Sequence, residues 1–197
     1  VITHINPSGC PALNTLTITV NPKPTIISGN SEICVGSTTS LSPISGGIWD
    51  VLTPGLGTVS ANFIFTSFFP GIAELKFTET STGCSNSLQI TILPRPEISV
   101  SGPTTICVGC TTPMSPSVGG SWSSSNGSVA TVSNSGLVTG IALGQVTVTF
   151  TNATTGCASL PSFPITVIDK PTVTIIGSPF ICVGGTTSLS TNYAING

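Results

Sequence analysis

Apolar and polar positions along this chain alternate at a spacing of two, in short runs rich in Val, Ile, Thr and Phe that Gly, Pro and Asn interrupt. Successive side chains of a strand point to opposite faces, so a two-residue period marks half-buried β-strands. No stretch carries the apolar stripe at three- and four-residue spacing that an amphipathic helix needs. The chain is therefore expected to be all-β. Between residues 96 and 169 the alternation predicts strands near 97–101, 106–108, 111–115, 120–124, 130–133, 136–139, 145–151 and 163–168.

The pattern repeats with a period of about 74 residues. Ile33-Cys34-Val35-Gly36-Ser37-Thr38-Thr39 returns as Ile106-Cys107-Val108-Gly109-Cys110-Thr111-Thr112 and as Ile181-Cys182-Val183-Gly184-Gly185-Thr186-Thr187. Thr82-Gly83-Cys84 returns as Thr155-Gly156-Cys157, with a looser copy at Ser8-Gly9-Cys10. Gly46-Gly47-Ile48-Trp49 matches Gly119-Gly120-Ser121-Trp122, and Gly71 matches Gly144. Pro-rich joints at 21–24, 94–96 and 169–171 separate the copies, because Pro blocks sheet continuation. The expected division is the end of one repeat (1–22), two full repeats (23–95 and 96–169) and the beginning of another (170–197). Some seven short strands in so few residues point to tandem immunoglobulin-like β-sandwiches. Trp49 and Trp122 are the expected core anchors between their two sheets.

Within the second full repeat, 121–126, 129–132, 136–140 and 144–148 resemble the bacterial Ig-like group 2 (Big2) pattern. The Ile-Cys-Val-Gly and Thr-Gly-Cys markers resemble PKD-like repeats of giant Bacteroidota surface proteins exported by type IX secretion, such as the SprB-type gliding-motility adhesins. This resemblance implies an extended, extracellular cell-surface filament. The first full repeat departs from the pattern over 50–69, where the Trp-Ser-Ser-Asn run is missing.

Only 5% of the residues are charged, against about 25% in an average globular protein. Solubility must rest on hydroxyl and amide groups. The four basic residues, Lys23, Lys76, Arg95 and Lys170, form no patch for nucleic acid or an anionic membrane. No apolar run is long enough for a membrane-spanning helix. Val1 is not Met and the chain starts as a strand already under way, so it reads as a window on a longer protein whose export signal and anchor lie elsewhere.

Six of the seven cysteines recur with the repeat, which points to structural disulfides formed in an oxidising compartment. Buried free thiols are the plainer alternative. Zinc is disfavoured, since Cys107 and Cys110 form the sole C-x-x-C and His4 is the sole histidine. In a sandwich the Ile-Cys-Val-Gly marker lies at the pole where the domain ends and Thr-Gly-Cys at the pole where it begins. A strand length, roughly 20 to 30 Å, separates them, well beyond the span of a disulfide. An interdomain bridge from Cys34 to Cys157 is therefore favoured over intradomain pairs Cys34–Cys84 and Cys107–Cys157. Cys10, Cys84, Cys107 and Cys182 are expected to find partners outside the chain. Cys110, whose counterparts are Ser37 and Gly185, is left as an idle thiol, a local partner of Cys107 or an intermolecular link.

Chemistry is sparse. The carboxylates Glu32, Asp50, Glu74, Glu79, Glu97 and Asp169 do not recur at equivalent positions, whereas a repeat-encoded catalytic or calcium site would. No cofactor and no catalytic residue is expected. Phe63, Phe65, Phe68 and Phe69 crowd one stretch, and Phe69 is the candidate ligand contact because an exposed aromatic can dock a partner. The reading that follows is a non-enzymatic structural and adhesive stalk. Its partners are neighbouring repeats and surface polysaccharide or a solid substratum, with no nucleic acid and no membrane insertion. The alternative is a carbohydrate-binding or accessory module of a secreted protein. Completion of one chain's ends by another's is disfavoured, because together they lack the Trp-bearing strand.

Overall fold

The computed structural model describes residues 2–5, 7, 11–14 and 18–194, and the chain divides into two compact units, Val1–Ile92 and Leu93–Gly197. The first begins with an antiparallel pair, β1 (Ile2–Ile5) and β2 (Pro11–Asn14). Eight further strands follow: β3 (Ile27–Ser28), β4 (Glu32–Cys34), β5 (Thr38–Ser42), β6 (Gly47–Val51), β7 (Gly57–Val59), β8 (Ile64–Ser67), β9 (Gly71–Glu79) and β10 (Ser85–Leu93). They form two sheets, ordered β3-β5-β8-β7 and β4-β10-β9-β6. The two-residue period does what it predicts, burying every second side chain of β9. Leu41 and Phe65 from one sheet and Trp49, Leu75, Phe77 and Ile90 from the other belong to a single core cluster.

The second unit repeats the plan with β11 (Ser99–Val100), β12 (Thr105–Cys107), β13 (Thr111–Ser115), β14 (Gly120–Ser124), β15 (Ala130–Val132), β16 (Leu137–Gly140), β17 (Gly144–Val146), β18 (Val148–Asn152) and β19 (Ile165–Ile168). One sheet runs β11-β13-β16-β15, facing β12-β19-β17 and the pair β14-β18. Strand β12 lies parallel to β19. Its core gathers Met114, Trp122, Val138, Val148, Phe150 and Ile165.

Both tryptophans sit at the same point of their sandwiches. Trp49 stacks obliquely on Phe77 at 5.3 Å and donates its indole N–H to the Pro43 carbonyl at 3.0 Å. Trp122 does the same with Phe150 at 5.2 Å and with Pro116 at 2.9 Å. The Gly-Gly before each tryptophan has two separate jobs. Gly46 and Gly119 turn the chain at φ +82° and +87°. Gly47 and Gly120 leave room for the Phe77 and Phe150 rings, where a Cβ would collide with ring and backbone carbonyl.

The strand expected at 145–151 is two strands, because Thr147 turns aside and exchanges hydrogen bonds with Ser125. The last strand begins at Ile165 rather than 163. Pro161 and Pro164 lack the N–H a ladder needs, and Ser hydroxyls stand in: Ser159 Oγ accepts from Phe150 N and Ser162 Oγ from Val148 N, each at 3.0 Å.

Beyond the second sandwich lies an antiparallel pair, β20 (Thr172–Ile176) and β21 (Ser190–Ala194). Every side chain described from 168 to 192 is exposed. Ile181 and Leu189 are 57% and 65% exposed, whereas their counterparts Ile33, Leu41, Ile106 and Met114 are 5% or less. Among the described residues no second sheet faces this hairpin to bury them.

Candidate functional site: the cysteine turns and an apolar groove

The Cys-Val-Gly marker is a tight turn. In the first sandwich Gly36 takes φ +77° and Ser37 N donates to the Cys34 carbonyl at 2.9 Å. The turn is anchored on Ser67 of β8, whose buried hydroxyl donates to the carbonyls of Cys34 and Ser37 at 3.0 and 3.1 Å. In the second sandwich Gly109 takes φ +78°, Cys110 N donates to Cys107 O at 2.9 Å, and Gly140 exchanges backbone bonds with Gly109 and Cys110. At the third copy Gly184 takes φ +82° and Gly185 N donates to Cys182 O at 2.8 Å. A positive φ favours glycine because it has no Cβ, which explains why glycine recurs there.

The Thr-Gly-Cys marker makes the turn at the other end. Gly83 and Gly156 take φ +71° and +68°, and Thr82 and Thr155 accept from the cysteine N–H through their hydroxyls at 3.2 Å. Along β10 nearly a whole strand separates this turn from the β4 pole, since Ser85 opens the strand and Thr91 N donates to Ser31 O. At about 3.3 Å per residue this exceeds the reach of a disulfide several times over.

Cys34 and Cys157 are disulfide-bonded. Cys84, half buried, and Cys182, exposed, are free thiols. Cys34 therefore does not pair with Cys84. Cys107 is bonded to Cys110, with 5.1 Å between their Cα atoms, so it pairs neither with Cys157 nor, as expected from sequence, with a cysteine outside the chain. The reason is local. The glycine turn folds residue 110 back over residue 107 and places the two sulfurs side by side. Cys10 lies outside the described residues.

The four phenylalanines divide. Phe65 is fully buried, and Phe63, at φ +58°, packs against the same core. Phe68 and Phe69 are exposed, Phe69 by 64%, in the loop that follows Ser67 and thus beside the Cys34 turn.

A second apolar feature was not legible as a site. A groove of about 1040 Å³ in the second unit is lined by Arg95, Glu97, Ile98, Val100, Leu160 and Phe163, among others. The Pro-interrupted segment before β19 makes it. Leu160 and Phe163 stand 67% and 82% exposed, whereas Leu88, before the corresponding part of β10, packs on the core. The sequence trace of this groove is the pair Pro161 and Pro164 between Thr-Gly-Cys and the last strand.

Among the described residues no group of three or more His, Cys, Asp or Glu side chains could hold a metal ion, and no helix is long and apolar enough to cross a membrane. His4 lies on β1, and Glu74 and Glu79 on β9.

Two sheets packed around a Trp-Phe pair, with the parallel β12–β19 contact, define the architecture. The fold is immunoglobulin-like. Residues 89–160 match the family of the bacterial Ig-like domain (group 2). Among solved structures, a C-terminal fragment of intimin, determined in complex with the intimin-binding domain of the translocated intimin receptor, is 15% identical with a TM-score of 0.43. That alignment covers 80% of this chain and 67% of the fragment. Invasin, described as a bacterial integrin-binding protein, is 16% identical with a TM-score of 0.40, over 76% of this chain and 39% of invasin. Domains 4–9 of the surface layer protein SbsC are 19% identical with a TM-score of 0.28, over 88% of this chain and 29% of theirs. No curated protein matches the chain in sequence.

Proposed function

We propose that the chain is a non-enzymatic structural and adhesive stalk segment of a long extracellular protein at the cell surface, divided into repeats at 1–22, 23–95, 96–169 and 170–197. The observation that carries this is what the repeats preserve: a Trp-Phe core and one cysteine turn at each pole, with no recurring chemical group between them. Neighbouring repeats are then joined by a Cys34–Cys157 disulfide. Three facts support that pairing: both cysteines are oxidised, Cys84 is a thiol, and Cys107 is occupied by Cys110. Such a bridge clamps a joint and makes a string of domains stiff. The kinship with type IX-secreted adhesins of attachment or gliding motility belongs to this proposal and rests on the two cysteine markers.

Non-reducing peptide mapping of the intact chain tests it. A Cys34–Cys157 linked peptide is the expected product, and Cys34 joined to any other cysteine sinks the covalent-stalk reading. The exposed Leu160 and Phe163 beside the groove favour a second reading, a carbohydrate-binding or accessory module. Calorimetric titration with soluble polysaccharides decides it: binding lost in Phe163→Ala and kept in Phe69→Ala assigns recognition to the groove, the reverse assigns it to Phe69, and no heat leaves the stalk.

A further inference from the structure

We propose that Cys107–Cys110 is an exchangeable disulfide, a site for attack by an incoming thiol, which caps the sulfur that would otherwise tie this repeat to the next. The inference rests in part on the stalk reading above, since it treats Cys107 as the counterpart of Cys34. The turn itself does not need the cross-link. The same hydrogen bond and the same glycine conformation hold it at Cys34 with Ser37 and at Cys182 with Gly185. Cys110 is thus an addition to a turn already complete. What it adds is chemical, because the homologous sulfur of Cys34 is engaged in a different disulfide while that of Cys182 is a free thiol. The same marker therefore carries two different kinds of disulfide, one at Cys34 and one at Cys107.

The surroundings favour opening. Cys107 and Cys110 are both partly exposed. Lys170 lies over the turn, its Nζ 3.5 Å from where a Gly109 Cβ would stand. A positive charge over the Gly109 side of the turn favours a thiolate released within that turn, which makes the departing cysteine a better leaving group. The step is a thiol–disulfide exchange. An incoming thiolate bonds to Cys107 Sγ, the Cys107–Cys110 bond breaks, and its electron pair departs on Cys110, in the turn over which Lys170 lies. The proton given up by the attacking thiol is available to Cys110, and nothing is oxidised or reduced overall. When the attacker is a Thr-Gly-Cys thiol of a following repeat, the product is a bridge between repeats and a free Cys110. When it is a small thiol, the product is a mixed disulfide and an unclamped joint.

The experiment is a time course of the intact folded chain with reduced glutathione, quenched by alkylation and read by non-reducing peptide mapping. Cys107–Cys110 is expected to open at least tenfold faster than the disulfides of Cys34 and Cys157, with glutathione on Cys107, and Lys170→Met to slow that opening severalfold. Equal resistance of all the disulfides, or an unchanged rate in Lys170→Met, overturns the proposal. Cys110→Ser, which restores the residue of the first repeat, should leave the fold intact and expose Cys107 to alkylation; a protected Cys107 in that variant overturns it too. The same maps read the partner of Cys34 separately, so failure of the stalk reading is distinguishable from failure of this one.

Discussion

Thr39 and Thr112 occupy the same position in the two sandwiches, both buried, yet they differ in satisfaction. Thr39 Oγ1 accepts from Asn30 N at 2.9 Å. Thr112 Oγ1 has no partner, because Pro103 stands where Asn30 does and Pro has no N–H to offer. An unsatisfied buried hydroxyl costs about 1–3 kcal/mol, while a satisfied one contributes about 1. Thr112→Val is therefore expected to stabilise the second sandwich by about 1 kcal/mol and Thr39→Val to destabilise the first by a similar amount, read from urea unfolding midpoints. The paired glycines make a graded prediction. Gly120→Ala forces a methyl against the Thr151 carbonyl and the Phe150 ring, which should cost about 3 kcal/mol. Gly119→Ala meets no atom and pays only for its positive φ, about 1 kcal/mol.

Among the elements, the segment between β18 and β19 departs most from its counterpart. Its two prolines remove ladder donors, and Ser159 and Ser162 hold β18 in their place through hydroxyl and backbone. Ser159→Ala leaves the buried Phe150 N–H without an acceptor, which should cost about 1–3 kcal/mol and speed amide exchange at Phe150, as hydrogen-exchange mass spectrometry would read. Ser162→Ala should act likewise at Val148. The alternation of β5, β9 and β13 was legible because a strand with one wet face must alternate. The early end of pairing near Pro161 was legible only as a breaker. Nothing in the local pattern announces that two serine side chains repair the loss.

For the molecule as a whole, four basic and six acidic residues leave little for salt to screen. The thermal midpoint is expected to move by no more than about 2 °C between 0.05 and 1 M NaCl, and a larger rise would show that electrostatic repulsion matters. On the proposed Cys34–Cys157 pairing, the bridge closes a very long loop, and on the entropic account such a constraint is worth about 4–5 kcal/mol. Replacing both cysteines by Ser should lower the stability toward unfolding by up to that amount, measured in denaturant, while leaving each sandwich folded.

The sequence by itself determined the all-β class, the repeat, the strands at 111–115 and 120–124, and the two tryptophan anchors. These depend on local periodicity and on residues with one physical role each: glycine at positive φ, and a large ring where two sheets meet. Tertiary structure decided the rest. Phe65 is buried while Phe69 is exposed, although both lie in one aromatic run, because Phe65 points inward from β8 whereas Phe69 lies in the loop beyond the strand's end at Ser67. Cys107 found Cys110 because a turn placed them side by side, and cysteine spacing alone left three outcomes open. The groove beside β11 arises where two distant segments, 95–104 and 160–164, come together; neither carries the pattern of a site until the sandwich has closed around its core.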